Sequence, residues 1–265
     1  MESVPSRASP MGATAGWTTE RPPVVGGSPV TGRPLVWLLV GYPLWWALGM
    51  GQFAYWLFAL PMAVELVRRH RSRGLRVPPG FWSWTLFLLW TVLGLFLVPL
   101  ETPGTVPDSG GYGGALLRVV GYLVLTVLLL YVGNLSEREL PTRVVVWALA
   151  VLCLTTIAGG YLGVLAPRFE FTAPLEYLLP ESLASDSYMQ ALVHPASAQI
   201  MEVLGYESAR PKAPWEYTNI WGYMLSLLLV WLVVGWIVQG SGRVRWGALT
   251  AAVLSAVPVV YSLNR

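Results

Sequence analysis

The chain has 265 residues, of which 55% are hydrophobic and only 12% charged, with 14 Trp and a formal net charge of +3. Its mean hydropathy of +0.56 is more than one soluble core can hide, and the apolar excess falls in runs long enough to cross a hydrocarbon layer. A soluble globular domain is thereby excluded. The positive residues gather in short loops, as membrane orientation requires, so the net charge makes no case for nucleic acid as a partner.

Residues 1–33 are rich in Pro, Gly, Ser and Thr; they bury too little apolar surface to offset ordering and are expected to form a disordered cytoplasmic tail. The remainder, 34–265, reads as one transmembrane domain: an all-α polytopic bundle with about seven spans, at 34–49, 52–67, 81–99, 114–133, 143–166, 217–239 and 246–263. The stretch from Arg68 to Arg76 carries five arginines and no acid, whereas 101–114 carries Glu101 and Asp108 and no base. The positive-inside bias therefore places the first in the cytoplasm and the second outside. Later loops agree: Arg138, Arg143, Arg243 and Arg245 fall inside, and the long segment 167–216, with seven acids against Arg168, Arg210 and Lys212, falls outside. The N-terminus is then cytoplasmic and Arg265 emerges on the outer face.

Smaller signals fit the same scheme. Cys153 has no second cysteine to pair with and reads as a small buried apolar residue. Gly159 and Gly163 have the spacing that lets two helices approach closely. Asn134-Leu135-Ser136 matches a glycosylation acceptor, but on the cytoplasmic side, where that modification does not occur. Trp37, Trp82, Trp84, Trp215, Trp221 and Trp246 sit near span ends and read as interface anchors.

Within 167–216, Ser185 or Asp186 is placed to cap a helix in which Met189, Leu192, Val193, Ala196, Ile200, Val203 and Leu204 recur at helical steps, bent near Pro195. Such an amphipathic helix would lie on the membrane surface, preceded by a second interfacial piece at 174–180. A lid over the bundle and a platform for a lipid-linked substrate explain it equally well.

No acidic D-x-D, metal-ligand spacing, glycine-rich phosphate loop or nucleophilic triad is present. His194, beside a proline, reads as an ordinary helix histidine. The span interiors are nearly free of ionisable groups, which counts against an ion-coupled transporter. What remains is Arg210 and Lys212 before one span, Asn219 just inside it, and Arg265 at the end of the next. From spacing alone these read as interface-snorkelling cations as readily as a ligand site. Their side of the membrane favours the second reading, because orientation does not call for cations there.

At these residues the sequence resembles the bacterial O-antigen ligase and O-antigen polymerase superfamily. The carrying stretches are Arg210-Pro211-Lys212-Ala213-Pro214-Trp215-Glu216-Tyr217-Thr218-Asn219-Ile220-Trp221-Gly222 and Val257-Pro258-Val259-Val260-Tyr261-Ser262-Leu263-Asn264-Arg265. The resemblance implies a metal-independent glycosyltransferase without cofactor, acting on a polyprenyl-diphosphate-linked glycan and a glycan or lipid acceptor. It places Arg265 and Arg210 as the catalytic arginines on the diphosphate, with Lys212 and Asn219 as substrate-binding neighbours. Members of that superfamily continue past this arginine with R-x-x-x-L, a large outer loop and a histidine base, so the chain reads as the N-terminal part of such an enzyme. A non-catalytic membrane partner that holds lipid-linked glycan is the alternative.

Overall fold

The computed structural model describes residues 32–98, 111–184, 187–203 and 205–262, and the expected tail lies outside them except for Gly32 and Arg33. The first apolar run is two short helices, α1 (Arg33–Val40) and α2 (Tyr42–Ala47), broken at Gly41. A Cβ there would stand 2.6 Å from the Trp37 carbonyl and 2.9 Å from the Trp45 indole nitrogen, so the break is built on glycine. Next come α3 (Ala54–Arg73), α4 (Phe81–Gly94), which ends in a 3-10 turn, α5 (Gly111–Asn134) and α6 (Thr142–Leu165). After α6 the chain makes short helices α7 (Glu181–Ala184) and α8 (Ser187–Val193), then an antiparallel hairpin of β1 (Ala198–Val203) and β2 (Tyr206–Pro211). It closes with α9 (Thr218–Leu232), continued as a π-turn to Val238, then α10 (Gly242–Leu254) and α11 (Ala256–Ser262).

Among the described residues four helical segments are long and apolar enough to cross a membrane: Tyr112–Asn134, Thr142–Leu165, Thr218–Val238 and Gly242–Ser262. The protein is thus mostly helical and fits an all-α membrane protein, with one hairpin added. That hairpin corrects the amphipathic helix expected as far as Leu204. The helix stops at Val193 because Pro195 disfavours helical backbone at His194. Beyond the proline the chain is extended: Gln199 faces Arg210, and Gly205, at φ 82°, turns the strands. Apolar residues of 196–204 satisfy either period, and the availability of a partner strand decides between them. Ser185, Asp186 and Leu204 lie outside the described residues.

α6 is the central element, packed against α1, α9, α11 and β2. Its buried face is built from small residues, including Ala150, Cys153, Thr156, Gly160 and Gly163. Around it lies the larger core, with Tyr42, Trp215, Trp221, Leu225 and Leu228; a smaller one joins α1, α3 and α5 through Leu35, Met62, Leu66 and Tyr131. Two expectations change here. Trp215 and Trp221 are buried and not interface anchors: their indole N–H groups donate to the Thr156 hydroxyl at 3.3 Å and the Thr156 carbonyl at 2.9 Å. Trp84 likewise turns inward and donates to the Thr126 hydroxyl at 2.9 Å, while Trp37, Trp82 and Trp246 stay exposed. Gly159 and Gly163 do not admit a second helix; they receive the loop after β2, with Ala213 over Gly159 and Pro211 over Gly163.

At the opposite end of the bundle the arginine-rich stretch is ordered by α5 and its following loop. Arg69 donates to the Asn134 carbonyl at 2.8 Å and to Glu139 at 2.6 Å, and lies 3.4 Å from Glu65. Asn134 bridges the Arg76 backbone through both its amide groups, a structural use of the residue that matched a glycosylation acceptor.

Candidate functional site

The hairpin end of the bundle is held by a few backbone contacts. The Ser197 carbonyl accepts the N–H groups of Lys212 and Ala213 at 3.0 and 3.2 Å, and its own N–H donates to Phe169 at 2.9 Å. The Ser197 hydroxyl donates to the Ala166 carbonyl at 2.6 Å, pinning the hairpin to the end of α6. Through a cis Ala213–Pro214 bond the chain then crosses the glycines of α6 and stacks Trp215 on Tyr42, ring centroids 4.4 Å apart. These contacts fix two candidate constellations.

In the first, Arg210 projects from β2 to the end of α11. Its Nε–H donates to the Ser262 carbonyl at 2.7 Å, and Nη1 lies 3.6 Å from the Met201 sulfur. A cation at a helix C-terminus satisfies carbonyls that have no helical partner. Arg265, three residues on, lies outside the described residues. Asn219 is exposed in the first turn of α9. The bond that ties this turn to the hairpin comes from Thr218, whose hydroxyl donates to the Arg210 carbonyl at 3.2 Å and also lies 3.4 Å from the Gln199 side-chain oxygen.

Lys212 has different neighbours from Arg210. It lines an open cleft of about 510 Å³ together with Arg168, Glu170, Gln190 and His194. Burial pulls its ammonium below the ordinary lysine range, with Glu216 and Glu170 acting the other way. Burial pushes the Glu216 carboxyl above its usual range, against its own backbone N–H and Lys212. His194 lines the same cleft and faces two carboxylates. Its Nδ1 lies 3.1 and 3.0 Å from the two Glu176 oxygens, and its Nε2 lies 3.8 Å from Glu170. The Glu176 side chain is only 9% exposed and also accepts the Ala173 N–H at 2.6 Å.

No family model, curated protein or solved structure matches this chain. The site is therefore read from its own geometry. Among the described residues no group of three or more His, Cys, Asp or Glu side chains is placed to hold a metal ion.

Sequence reasoning found Arg210 and Lys212 but missed Glu170, Glu176, His194 and Glu216 as a group. Glu176 and His194 are 18 positions apart, so no short-range motif joins them; a turn against Ala173 and the end of α8 bring them together. The available signal was density: Glu170, Glu176, Glu216 and the single histidine of 167–216 share that segment with its one lysine, and perturbed ionisation at such a cluster marks candidate sites.

Proposed function

We propose that this protein is a membrane glycosyltransferase of the O-antigen ligase or polymerase kind, which transfers or polymerises polyprenyl-diphosphate-linked glycan at the outer leaflet of a bacterial plasma membrane. In this reading about seven segments span the bilayer, the N-terminus is cytoplasmic, and the hairpin end faces outward. The observation that carries it is the Arg210 bond to the Ser262 carbonyl at 2.7 Å, across 52 positions of sequence. It joins the two stretches on which the resemblance rests.

The chemistry follows from charge. Displacement at the anomeric carbon leaves a lipid diphosphate, and fixed guanidinium groups that meet its growing negative charge lower the barrier without reorganising. Arg210 is oriented by the end of α11, which carries Arg265 onward. Lys212, just after β2, and Asn219, in the first turn of α9, are the substrate-binding neighbours in this reading.

The test is a double-mutant cycle in the protein reconstituted in lipid nanodiscs, reading both polyprenyl diphosphate binding and glycan transfer. Arg265→Ala and Arg210→Ala should each lower transfer at least tens-fold, since an unpaired partner in a desolvated charge pair costs about 2–5 kcal/mol. The double variant should lose less than the product of the two. Transfer at the wild-type rate in Arg265→Ala refutes the leaving-group role. Binding without transfer in the wild-type protein assigns the non-catalytic alternative.

A further inference from the structure

The cleft beside His194 carries a second assignment. Two carboxylate oxygens of Glu176, a side chain walled off from solvent, face Nδ1 of His194. A neutral imidazole that donates to Glu176 from Nδ1 has Nε2 left as an acceptor, and His194 lines the cleft. On that side Nε2 lies 3.8 Å from the Glu170 Oε2, beyond hydrogen-bond reach. Two acceptors thus face one space, and only a ligand bearing donors can join them. Lys212 and Gln190 line the same cleft, and its volume of about 510 Å³ falls within the range of small-molecule sites.

The charge pattern narrows the ligand. An anion would meet Glu170, and a cation would meet Lys212 and Arg168. A neutral molecule with several hydroxyl groups donates to His194 and Glu170 and accepts from Lys212, with Ala196 and Ile200 against its C–H face. We propose that this cleft is a carbohydrate site, in which His194, positioned by Glu176, and Glu170 accept sugar hydroxyls while Lys212 donates. The choice of a sugar over other polyols rests on the proposed function; the donor and acceptor pattern does not.

Saturation-transfer NMR on the protein in nanodiscs, with methyl glucoside, methyl mannoside and methyl galactoside as probes and glycerol as the small-polyol control, tests the assignment. The same samples are titrated with a short polyprenyl diphosphate. Wild type should bind at least one glycoside in preference to glycerol, and His194→Ala should weaken it about three- to tenfold, as for one lost hydrogen bond. Glu176→Gln, which keeps the shape of the turn, should weaken it as well and change the imidazole nitrogen shifts that report which nitrogen carries the proton. Diphosphate binding should remain in both variants and fall only in Arg210→Ala. No glycoside signal, or a signal that survives both cleft variants, overturns the carbohydrate site and leaves the proposed function standing. A glycoside signal without diphosphate binding does the reverse.

Discussion

Gly159 lies where the loop after β2 rests on the central helix, and adding one methyl group there tests the whole arrangement. Its Cβ would stand 2.2 Å from the Ala213 carbonyl oxygen and 2.8 Å from Cδ of Pro214, whereas nonbonded carbon contacts are comfortable near ~3.5 Å. Backbone and a proline ring must therefore move by about 1 Å, because neither has a rotamer to escape into. The stretch that moves holds the Lys212 and Ala213 bonds to Ser197 at 3.0 and 3.2 Å and the Trp215 bond to Thr156 at 3.3 Å, which is already long. Overpacking costs about 1–3 kcal/mol and each lost hydrogen bond about 0.5–1.5 kcal/mol, while alanine returns about 1 kcal/mol of helix propensity. Gly159→Ala should thus destabilise by about 2–4 kcal/mol. Gly247→Ala, in α10 with nothing within 4 Å of its Cβ position, is the control and should change stability by no more than about 1 kcal/mol. Unfolding in mixed micelles followed by tryptophan fluorescence compares them. Equal midpoints for the two variants would show that α6 does not carry the loop.

Trp221→Phe removes the indole bond to the Thr156 carbonyl and should cost about 1–3 kcal/mol in the same unfolding assay, against about 3–5 kcal/mol for Trp221→Ala. Arg69→Ala strips Asn134, Glu139 and Glu65 of one shared partner and should cost about 2–4 kcal/mol, between the exposed and buried ion-pair ranges; Arg69→Lys should recover less than half, since an ammonium lacks the planar fork. Although burial disfavours its charge, Glu139 is held below the ordinary carboxyl range by Ser136 and Arg69. Its share of stability is therefore present above the unfolded pKa of about 4.3 and is lost as pH falls through the folded value. Glu216 has the opposite sign: burial raises its carboxyl, so stability declines as pH climbs from about 4.3 through the raised folded value. Melting temperature against pH should show this slope in wild type and its loss in Glu216→Gln. For orientation, Ser72→Cys and Tyr177→Cys are treated with an impermeant maleimide on intact cells, with the buried native Cys153 silent. Only the cysteine at 177 should react, and reaction at 72 alone would reverse the topology.

Composition and the length of the apolar runs determined the class of this protein, because a hydrocarbon layer demands runs of that length whatever packs beside them. The burial of Cys153 was legible for the same reason. The spacing of residues 196–204 was not decisive, since Ala196, Ile200 and Val203 suit helix and strand alike; pairing of β1 with β2 settled it. Nor could the sequence tell which tryptophans face lipid. Trp215 and Trp221 sit next to a span end exactly as an anchor would, and only the glycine face of α6 and the Thr156 acceptor turn them inward. Arg210 and Lys212 were legible as cations in an acidic segment. Their separation into a helix-end contact and a cleft wall was not: two residues apart on a strand they would share a face, but β2 ends at Pro211 and the Lys212 and Ala213 N–H groups both turn to the Ser197 carbonyl. The Glu176–His194 pair lay beyond any motif: it exists because Pro195 ends α8 and Ser197 ties the next residues to the end of α6, and that closure brings together groups that sequence spacing keeps apart.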